Sequence, residues 1–176
     1  MSTLSTTILV AEDDNALRHL VCEFLKKIST EVIGVADGAE ALKVISTGRV
    51  DVILSDIQMP AMDGLTLLRE VRKRGLETPF VLLSGHADKE NVFRALQLGA
   101  VGFLEKPFQK KSLLEVMTNA LELGVCIKKS ESEIDHAFKQ SGISNENAER
   151  FKRAKLAIAL MRESSRNFTD PLKNGS

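Results

Sequence analysis

Short apolar runs alternate along the chain with segments whose apolar residues recur at helical spacing. The apolar runs predict five strands, at residues 7–11, 31–35, 50–55, 79–84 and 101–104. The helical spacing after each run predicts five helices, around residues 17–28, 39–46, 65–72, 92–96 and 113–121. Because the runs are almost continuously apolar rather than alternating, we expect the strands to be buried on both faces.

Five consecutive strand–helix units predict an α/β fold in which a parallel sheet carries helices on both faces. About 120 residues suffice for an open, doubly wound five-stranded sheet, but not for an eight-unit barrel. Ligands of such open sheets bind outside the carboxyl ends of the strands. Functional side chains are therefore expected among the residues that follow each strand.

Acidic residues follow two of the predicted strands. Glu12, Asp13 and Asp14 come after the first strand, and Asp56 comes after the third. Asp14 or Asn15 also suits the N-cap of the next helix. Two carboxylates about 4 Å apart repel by roughly 4 kcal/mol at an effective dielectric constant near 20, so this cluster predicts a raised pKa or a bound cation. The candidate ligands are all oxygen atoms, which favours a hard ion such as Mg²⁺.

The other groups expected at this edge of the sheet fit phosphate chemistry, which commonly accompanies Mg²⁺ held by carboxylates. Ser84 ends the fourth apolar run and can donate a hydrogen bond to a phosphate oxygen, while Lys106 follows the fifth and can neutralise one. The sequence has no phosphate-binding glycine motif after the first strand and no GxSxG motif, and its three histidines are scattered. A carboxylate is then the expected nucleophile, and Asp56 is our candidate.

The amino-acid composition argues against some classes of binding partner and indicates a cellular location. The 24 basic and 24 acidic side chains give a formal net charge of +0, which argues against a chain that binds nucleic acid or anionic membranes along its whole length. The sequence has no apolar run long enough to span a membrane and no signal-peptide pattern. The two cysteines, Cys22 and Cys126, make neither a disulfide framework nor a zinc site. We therefore predict a cytoplasmic protein with no membrane partner.

Four segments resemble the CheY-like receiver domains of bacterial two-component response regulators. They are ILVAEDD, DVILSDIQMPAMDG, VLLSG and GFLEKPF, which occur in the family's order within residues 7–123. The resemblance implies the strand order 2-1-3-4-5. It also implies a conformational switch that accepts a phosphoryl group from a histidine kinase or a phosphotransfer protein with the help of Mg²⁺.

The resemblance implies a role for each matching residue. Asp56 matches the phosphoacceptor, Asp13 a direct ligand of Mg²⁺, and Glu12 a ligand that reaches the ion through water. Gln58 matches the residue whose backbone carbonyl binds the metal. The phosphate-binding and switch positions are matched by Ser84, Phe103 and Lys106, and the position of a cis peptide bond is matched by Pro107. Two small departures, Glu12 for a commoner Asp and Phe103 without a phenolic hydroxyl, do not argue against phosphorylation.

Two other functions stay open. The first is a Mg²⁺-dependent phosphatase with an aspartyl nucleophile, as in haloacid dehalogenases, whose acid/base Asp lies two residues after the nucleophile. Gln58 occupies that place here, so turnover is expected to be poor. The second is a binding module that works without phosphorylation. We expect a switch rather than an enzyme, with only autocatalytic phosphoryl acceptance and loss.

The predicted organisation is a receiver domain over residues 1–124 and a helical extension over residues 125–176 that matches no effector domain. Ser132 and Asp135 resemble a capping box that begins a short helix, and Gly142 suits its end. A longer helix is predicted to run to about residue 164, followed by a frayed end.

The purpose of the extension is not evident from the sequence. It can pack on its own receiver domain, or serve dimerisation or partner docking. The surface of helix 4, strand 5 and helix 5 is a second candidate for a homodimer. DNA binding is not expected, because no recognition helix follows and Glu146 and Glu149 would face the phosphates.

Overall fold

The chain folds as five strands that alternate with five helices over residues 5–85 and 89–141, the part described by the computed structural model. The strands are β1 (Thr7–Ala11), β2 (Glu31–Val35), β3 (Val52–Asp56), β4 (Phe80–Ser84) and β5 (Gly102–Glu105). The helices are α1 (Asn15–Leu25), α2 (Gly38–Ile45), α3 (Gly64–Lys73), α4 (Lys89–Gln97) and α5 (Lys110–Ser141). The predicted α/β fold is confirmed.

All neighbouring strands pair in parallel, in the order β2-β1-β3-β4-β5. This is the order that the family resemblance implied. Ala11 pairs with Ser55 across β1 and β3, and Asp56 pairs with Leu83 across β3 and β4. The carboxyl ends of the three central strands are therefore level, and the residues that follow them meet at one edge.

Two hydrophobic cores cover the two faces of the sheet. Alternate residues of the central strands enter each core, so β1, β3 and β4 are buried along their whole length. One core joins the sheet to α2, α3 and α4 and includes Leu9, Ile53, Leu67, Leu68 and Phe80. The other joins it to α1 and α5 and includes Ile8, Leu25, Leu54, Leu113 and Met117. Each such side chain stabilises the fold by roughly 1.5–3 kcal/mol through burial, and a one-residue register slip would exchange the two cores.

Aspartates are the N-caps of α1, α2 and α3, at the carboxyl ends of the strands. Their carboxylates accept the hydrogen bond of a backbone N–H three residues later, in the pairs Asp14–Leu17, Asp37–Glu40 and Asp63–Thr66. These bonds satisfy amide groups that have no partner within a helix. The interpretation of Asp14 as an N-cap is thus confirmed, and its carboxylate is already used by α1.

The ends of several strands differ from the predicted ends by one or two residues. The third strand begins at Val52 and includes Asp56, and the fifth spans Gly102–Glu105. Asp56 is therefore the last residue of β3 rather than the residue after it. In β3 the apolar residues end at Leu54, but Ser55 and Asp56 still pair with β4, so polar residues can complete a strand whose neighbour pairs with it.

The structure contradicts the predicted break near the end of the fifth helix. Helix α5 continues without interruption from Lys110 to Ser141, so Ser132 lies inside a helix and does not begin one. Gly124 lies against the Asp51 carbonyl, which a β-carbon at Gly124 would approach to 2.5 Å. This glycine therefore serves close packing, and the helix-forming residues after it carry the helix onward.

The chain divides into two compact units, Met1–Val125 and Cys126–Ser176. Residues 126–141 of the second unit are helical. The predictions for Gly142, for the longer helix up to residue 164 and for the frayed end lie outside the described residues. In the described ranges, none of the helices combines the length and the hydropathy that crossing a membrane requires.

Candidate functional site

The carboxyl ends of β1 and β3 bring three carboxylates together. Glu12 follows β1 directly and is 1% exposed, and Asp56 ends β3 and is 6% exposed, whereas Asp13 faces solvent. One carboxylate oxygen from each residue lies within 4.8 Å of the other two. The predicted acidic cluster is therefore present, and its geometry could hold a metal ion.

Lys106 reaches this cluster from the loop after β5. Its Nζ lies 2.5 Å from Asp56 Oδ2 and 2.7 Å from Glu12 Oε2. The backbone N–H of Lys106 donates to the Ser84 carbonyl at 2.7 Å, and the peptide bond between Lys106 and Pro107 is cis. The ammonium group thus bridges the two buried carboxylates.

The cluster has more negative than positive groups, and burial and hydrogen bonds shift the pKa values of Glu12 and Lys106. Burial raises the pKa of Glu12, the Lys106 hydrogen bond opposes that rise, and the charge of Asp56 adds to it. Burial alone would lower the pKa of Lys106, but the hydrogen bonds to Asp56 and Glu12 raise it above its ordinary value. The cluster contains three carboxylates and one ammonium group, so when all are ionised it carries two excess negative charges that a divalent cation would neutralise.

The loop after β3 folds tightly beneath Asp56. The backbone N–H of Gln58 donates to Asp56 Oδ1 at 3.3 Å, while the Gln58 side chain is exposed. Gly64 begins α3 with its N–H bonded to the Ile57 carbonyl at 2.9 Å. A β-carbon at Gly64 would overlap the Asp56 carbonyl, so this position needs glycine for the loop to close.

Ser84 and Phe103 lie on the strands beyond Asp56. Ser84 is the buried last residue of β4, one position beyond the Leu83 that pairs with Asp56. Phe103 is half-buried on β5, pairs with Leu82 and packs against the core under α3 and α4. Each predicted site residue is thus at the carboxyl edge or directly beneath it.

Sequence reasoning missed one residue that organises this region and one buried residue at the opposite end of the strands. Arg18 on α1 donates hydrogen bonds to the carbonyls of Glu12 and Asp13. Asp51, at the opposite edge of the sheet, is a buried carboxylate that accepts the Thr7 N–H. The only sequence signal for Arg18 is its place one helical turn after the N-cap Asp14, which puts its side chain over the start of the helix.

Residues 8–118 match the model of the response regulator receiver domain family. The match covers well over half of the chain.

The chain belongs to the response regulator receiver family.

Known relatives match this receiver domain over only part of their own length. A protein-glutamate methylesterase/protein-glutamine glutaminase 2 of Koribacter versatilis is 42% identical over 117 residues, which are 64% of this chain and 32% of that protein. The sensor kinase CckA of Brucella abortus is 38% identical over 120 residues, 67% of this chain and 13% of the kinase. The chain thus spans a third or less of the length of these two relatives.

Solved structures agree with this assignment. The chemotaxis response regulator CheY4 of Vibrio cholerae is 33% identical, with a TM-score of 0.62, and the match covers 66% of this chain and 99% of CheY4. NtrX of Brucella abortus is 32% identical, with a TM-score of 0.65, over 73% of this chain and 29% of NtrX. This receiver domain is therefore a module of two-component signalling.

Proposed function

We propose that Asp56 accepts a phosphoryl group from a phosphohistidine donor, on a histidine kinase or a phosphotransfer protein, and that Mg²⁺ assists the transfer. The observation that carries this proposal is the buried Asp56 carboxylate, which lies beside Lys106 and within 4.8 Å of carboxylate oxygens of Glu12 and Asp13. The hard oxygen donors and the excess negative charge fit Mg²⁺.

The residues that would hold the cation are Asp13 and Asp56 through their carboxylates, Gln58 through its backbone carbonyl, and Glu12 through water. A bound Mg²⁺ would neutralise charge on the phosphoryl oxygens and draw the donor and acceptor together. Asp13 is available for this role because its carboxylate makes no hydrogen bond with any residue that the structure describes.

In the transfer, a carboxylate oxygen of Asp56 attacks phosphorus, the bond from phosphorus to the donor nitrogen breaks, and that nitrogen keeps the electron pair. The product is an acyl phosphate on Asp56. Lys106 exchanges its bond to the Asp56 carboxylate for one to a phosphoryl oxygen and so stabilises the charge on the transferring group. The Ser84 hydroxyl donates to another phosphoryl oxygen.

The phosphoryl group then changes the surface around β5. Movement of Ser84 toward the phosphoryl group would leave space that Phe103 fills, and Phe103 already packs against the core beneath α4. The neighbouring surface has large exposed apolar side chains, with Phe93 61% and Leu96 62% exposed on α4. This surface suits a partner protein or a second copy of the chain in the switched state.

The proposal also includes the cellular location of the protein and the part of the chain that is phosphorylated. We place the protein in the cytoplasm, where Cys22 and Cys126, which are free thiols, would stay reduced. We also treat residues 1–124 as the phosphorylated module and residues 125–176 as an extension with a separate role, in line with the division of the chain after Val125.

A phosphatase is the second candidate, because it would use the same nucleophile and metal. Gln58 lies two residues after Asp56 with an exposed side chain that has no acidic proton to give. This favours a stable acyl phosphate over rapid turnover.

Incubation with phosphoramidate and Mg²⁺, followed by intact-mass measurement and assay of released phosphate, tests the proposal. We expect one phosphoryl group per chain and only slow release of phosphate. Continuous release at many times the protein concentration would assign a phosphatase, and the absence of both label and release would assign a binding module.

A further inference from the structure

We propose that Arg18 is a positioning residue that holds the turn of Glu12 and Asp13 in the geometry that a divalent cation requires. The inference rests on the proposed Mg²⁺ site, but it concerns a residue on α1 outside the acidic cluster.

The Arg18 guanidinium group binds the backbone of this turn. Nη1 donates to the Glu12 carbonyl at 2.5 Å and approaches the Asp13 carbonyl at 3.3 Å. Nη2 donates to Asn15 Oδ1 at 2.7 Å, which fixes the plane of the group. One nitrogen thus bonds two consecutive carbonyls while the other bonds Asn15, and the planar guanidinium group holds both sets of bonds in one fixed geometry, which a freely rotating ammonium group cannot do.

Arg18 lies close to acidic residues but bonds none of their carboxylates. Three carboxylates lie on the neighbouring residues 12–14, yet Arg18 forms no salt bridge with any residue in the described ranges. Its guanidinium group therefore bonds backbone carbonyls and leaves the carboxylates of Glu12 and Asp13 without a bond to Arg18.

The two carboxylates depend on this backbone to different degrees. Glu12 is also held by Lys106 and by the Asp14 N–H, which donates to Glu12 Oε1 at 3.2 Å. The Asp13 carboxylate lacks a hydrogen bond within the described residues, so its direction follows from the backbone to which it is attached. Arg18 bonds the carbonyls of the two peptide groups that flank the Asp13 Cα atom, and therefore controls where the Asp13 side chain points.

Positioning and simple electrostatics predict opposite results when Arg18 is replaced by a neutral residue. Loss of a positive charge near the cluster should strengthen the binding of a cation. Loss of the bonds that orient a metal ligand should weaken it, by about 10–100-fold for residues that support metal ligands in this way. The sign of the change in Mg²⁺ affinity therefore separates the two effects.

The experiment is calorimetric titration of Mg²⁺ into the full chain and into the variants Arg18→Met, Asn15→Ala and Arg49→Met. We expect about tenfold weaker binding for Arg18→Met. Asn15→Ala keeps the charge of Arg18 and removes one of its supports, so we expect binding to weaken by a smaller factor. Arg49→Met removes the same charge from an exposed position before β3, at the other edge of the sheet, and serves as the matched control.

Unchanged or tighter binding by Arg18→Met would overturn the inference while leaving the Mg²⁺ site in place. Failure of the unaltered chain to bind Mg²⁺ would instead overturn the proposed function. If Arg18→Met does not fold, as judged by circular dichroism, Asn15→Ala decides, and binding equal to that of the unaltered chain would count against the inference. Equal weakening by Arg49→Met would also overturn it, because the effect would then not be local.

Discussion

Two aspartates at opposite ends of β3 have similar burial and different partners. Asp51 precedes the strand and is 4% exposed, and Asp56 ends it and is 6% exposed. Asp51 Oδ2 accepts the Thr7 N–H at 2.7 Å, whereas Asp56 Oδ2 lies 2.5 Å from the ammonium group of Lys106. Burial alone therefore does not distinguish the carboxylate that holds the sheet together from the one that we propose as the phosphoacceptor.

The difference lies in whether the partner can move. The N–H that holds Asp51 belongs to the backbone of β1 and keeps its place as long as the sheet is folded. The ammonium group that holds Asp56 ends a flexible side chain, which can follow the charge from the carboxylate to a phosphoryl group. We infer that Asp56 can exchange its bond to Lys106 without loss of the fold, whereas loss of the bond between Asp51 and the Thr7 N–H would disturb the sheet.

The largest expected effect is on phosphorylation. Asp56→Asn removes the nucleophile, so labelling by acetyl phosphate or phosphoramidate should be abolished. Asp51→Asn, the matched variant at the other end of the strand, should be labelled to the same stoichiometry as the unaltered chain. Intact-mass measurement after incubation with Mg²⁺ checks both. Full, base-labile labelling of the Asp56 variant would assign the nucleophile elsewhere.

The free energy of unfolding should fall more when Asp51 is replaced than when Asp56 is replaced, which is the reverse of the effect on phosphorylation. Asp51→Ala leaves the buried Thr7 N–H without this acceptor and should lower the free energy of unfolding by about 2 kcal/mol. Asp56→Ala leaves Lys106 bonded to Glu12 and removes carboxylate repulsion, so the loss should be below about 1 kcal/mol. Urea unfolding in the absence of Mg²⁺ measures both changes, and a larger loss for the Asp56 variant would contradict the comparison.

The adjacent residues Asp13 and Asp14 should differ in their effect on Mg²⁺ affinity, by less than Asp51 and Asp56 differ in their effect on phosphorylation. Asp13→Asn should weaken Mg²⁺ binding about tenfold or more, which corresponds to roughly 1.4 kcal/mol or more, because a direct ligand loses its charge. It should also stabilise the metal-free domain slightly, since one repelling charge is gone. Asp14→Asn keeps a good N-cap and should change affinity little. Calorimetric titration with equal effects at the two positions would show that the ligand is misassigned.

The smallest expected effect is on the pH dependence of stability. The pKa of Glu12 is raised by burial in the folded state, so the folded protein holds this proton more tightly than the unfolded chain does. As pH rises from 4.5, the ordinary value, through the raised pKa, this residue should therefore make the free energy of unfolding fall. Urea unfolding in EDTA should show the unaltered chain losing stability relative to Glu12→Gln over this window. A relative gain would reverse the sign and contradict the burial argument.

The sheet could be predicted from the sequence because its strands are short apolar runs separated by helices with a regular apolar spacing. Most of the acidic site could then be predicted from the residues that follow the strands. The strands β1 and β2 were predicted with their observed bounds, since charged residues mark one end of each apolar run, Glu12 after the first and Glu31 at the start of the second. The convergence of Glu12, Asp56 and Lys106 followed from the rule that parallel strands end at the same edge.

Features that depend on one contact between residues distant in space or sequence could not be predicted in this way. The bond from Arg18 to two carbonyls has no sequence pattern, because every residue has a carbonyl. The break predicted at Ser132 was wrong, since a serine with an acidic residue three positions on occurs inside helices as well as at their starts. Gly124 is tolerated within α5 because it contacts the Asp51 carbonyl, which is far away in sequence.

The most direct test of phosphorylation at Asp56 is to locate the acyl phosphate chemically. Borohydride reduces an aspartyl phosphate to homoserine, and fragmentation mass spectrometry of the digested protein identifies the changed residue. After incubation with phosphoramidate, we predict homoserine at position 56, dependent on Mg²⁺ and absent from Asp56→Asn. Homoserine at position 13 or 51, or its absence from a fully folded sample that binds Mg²⁺, would contradict the proposal.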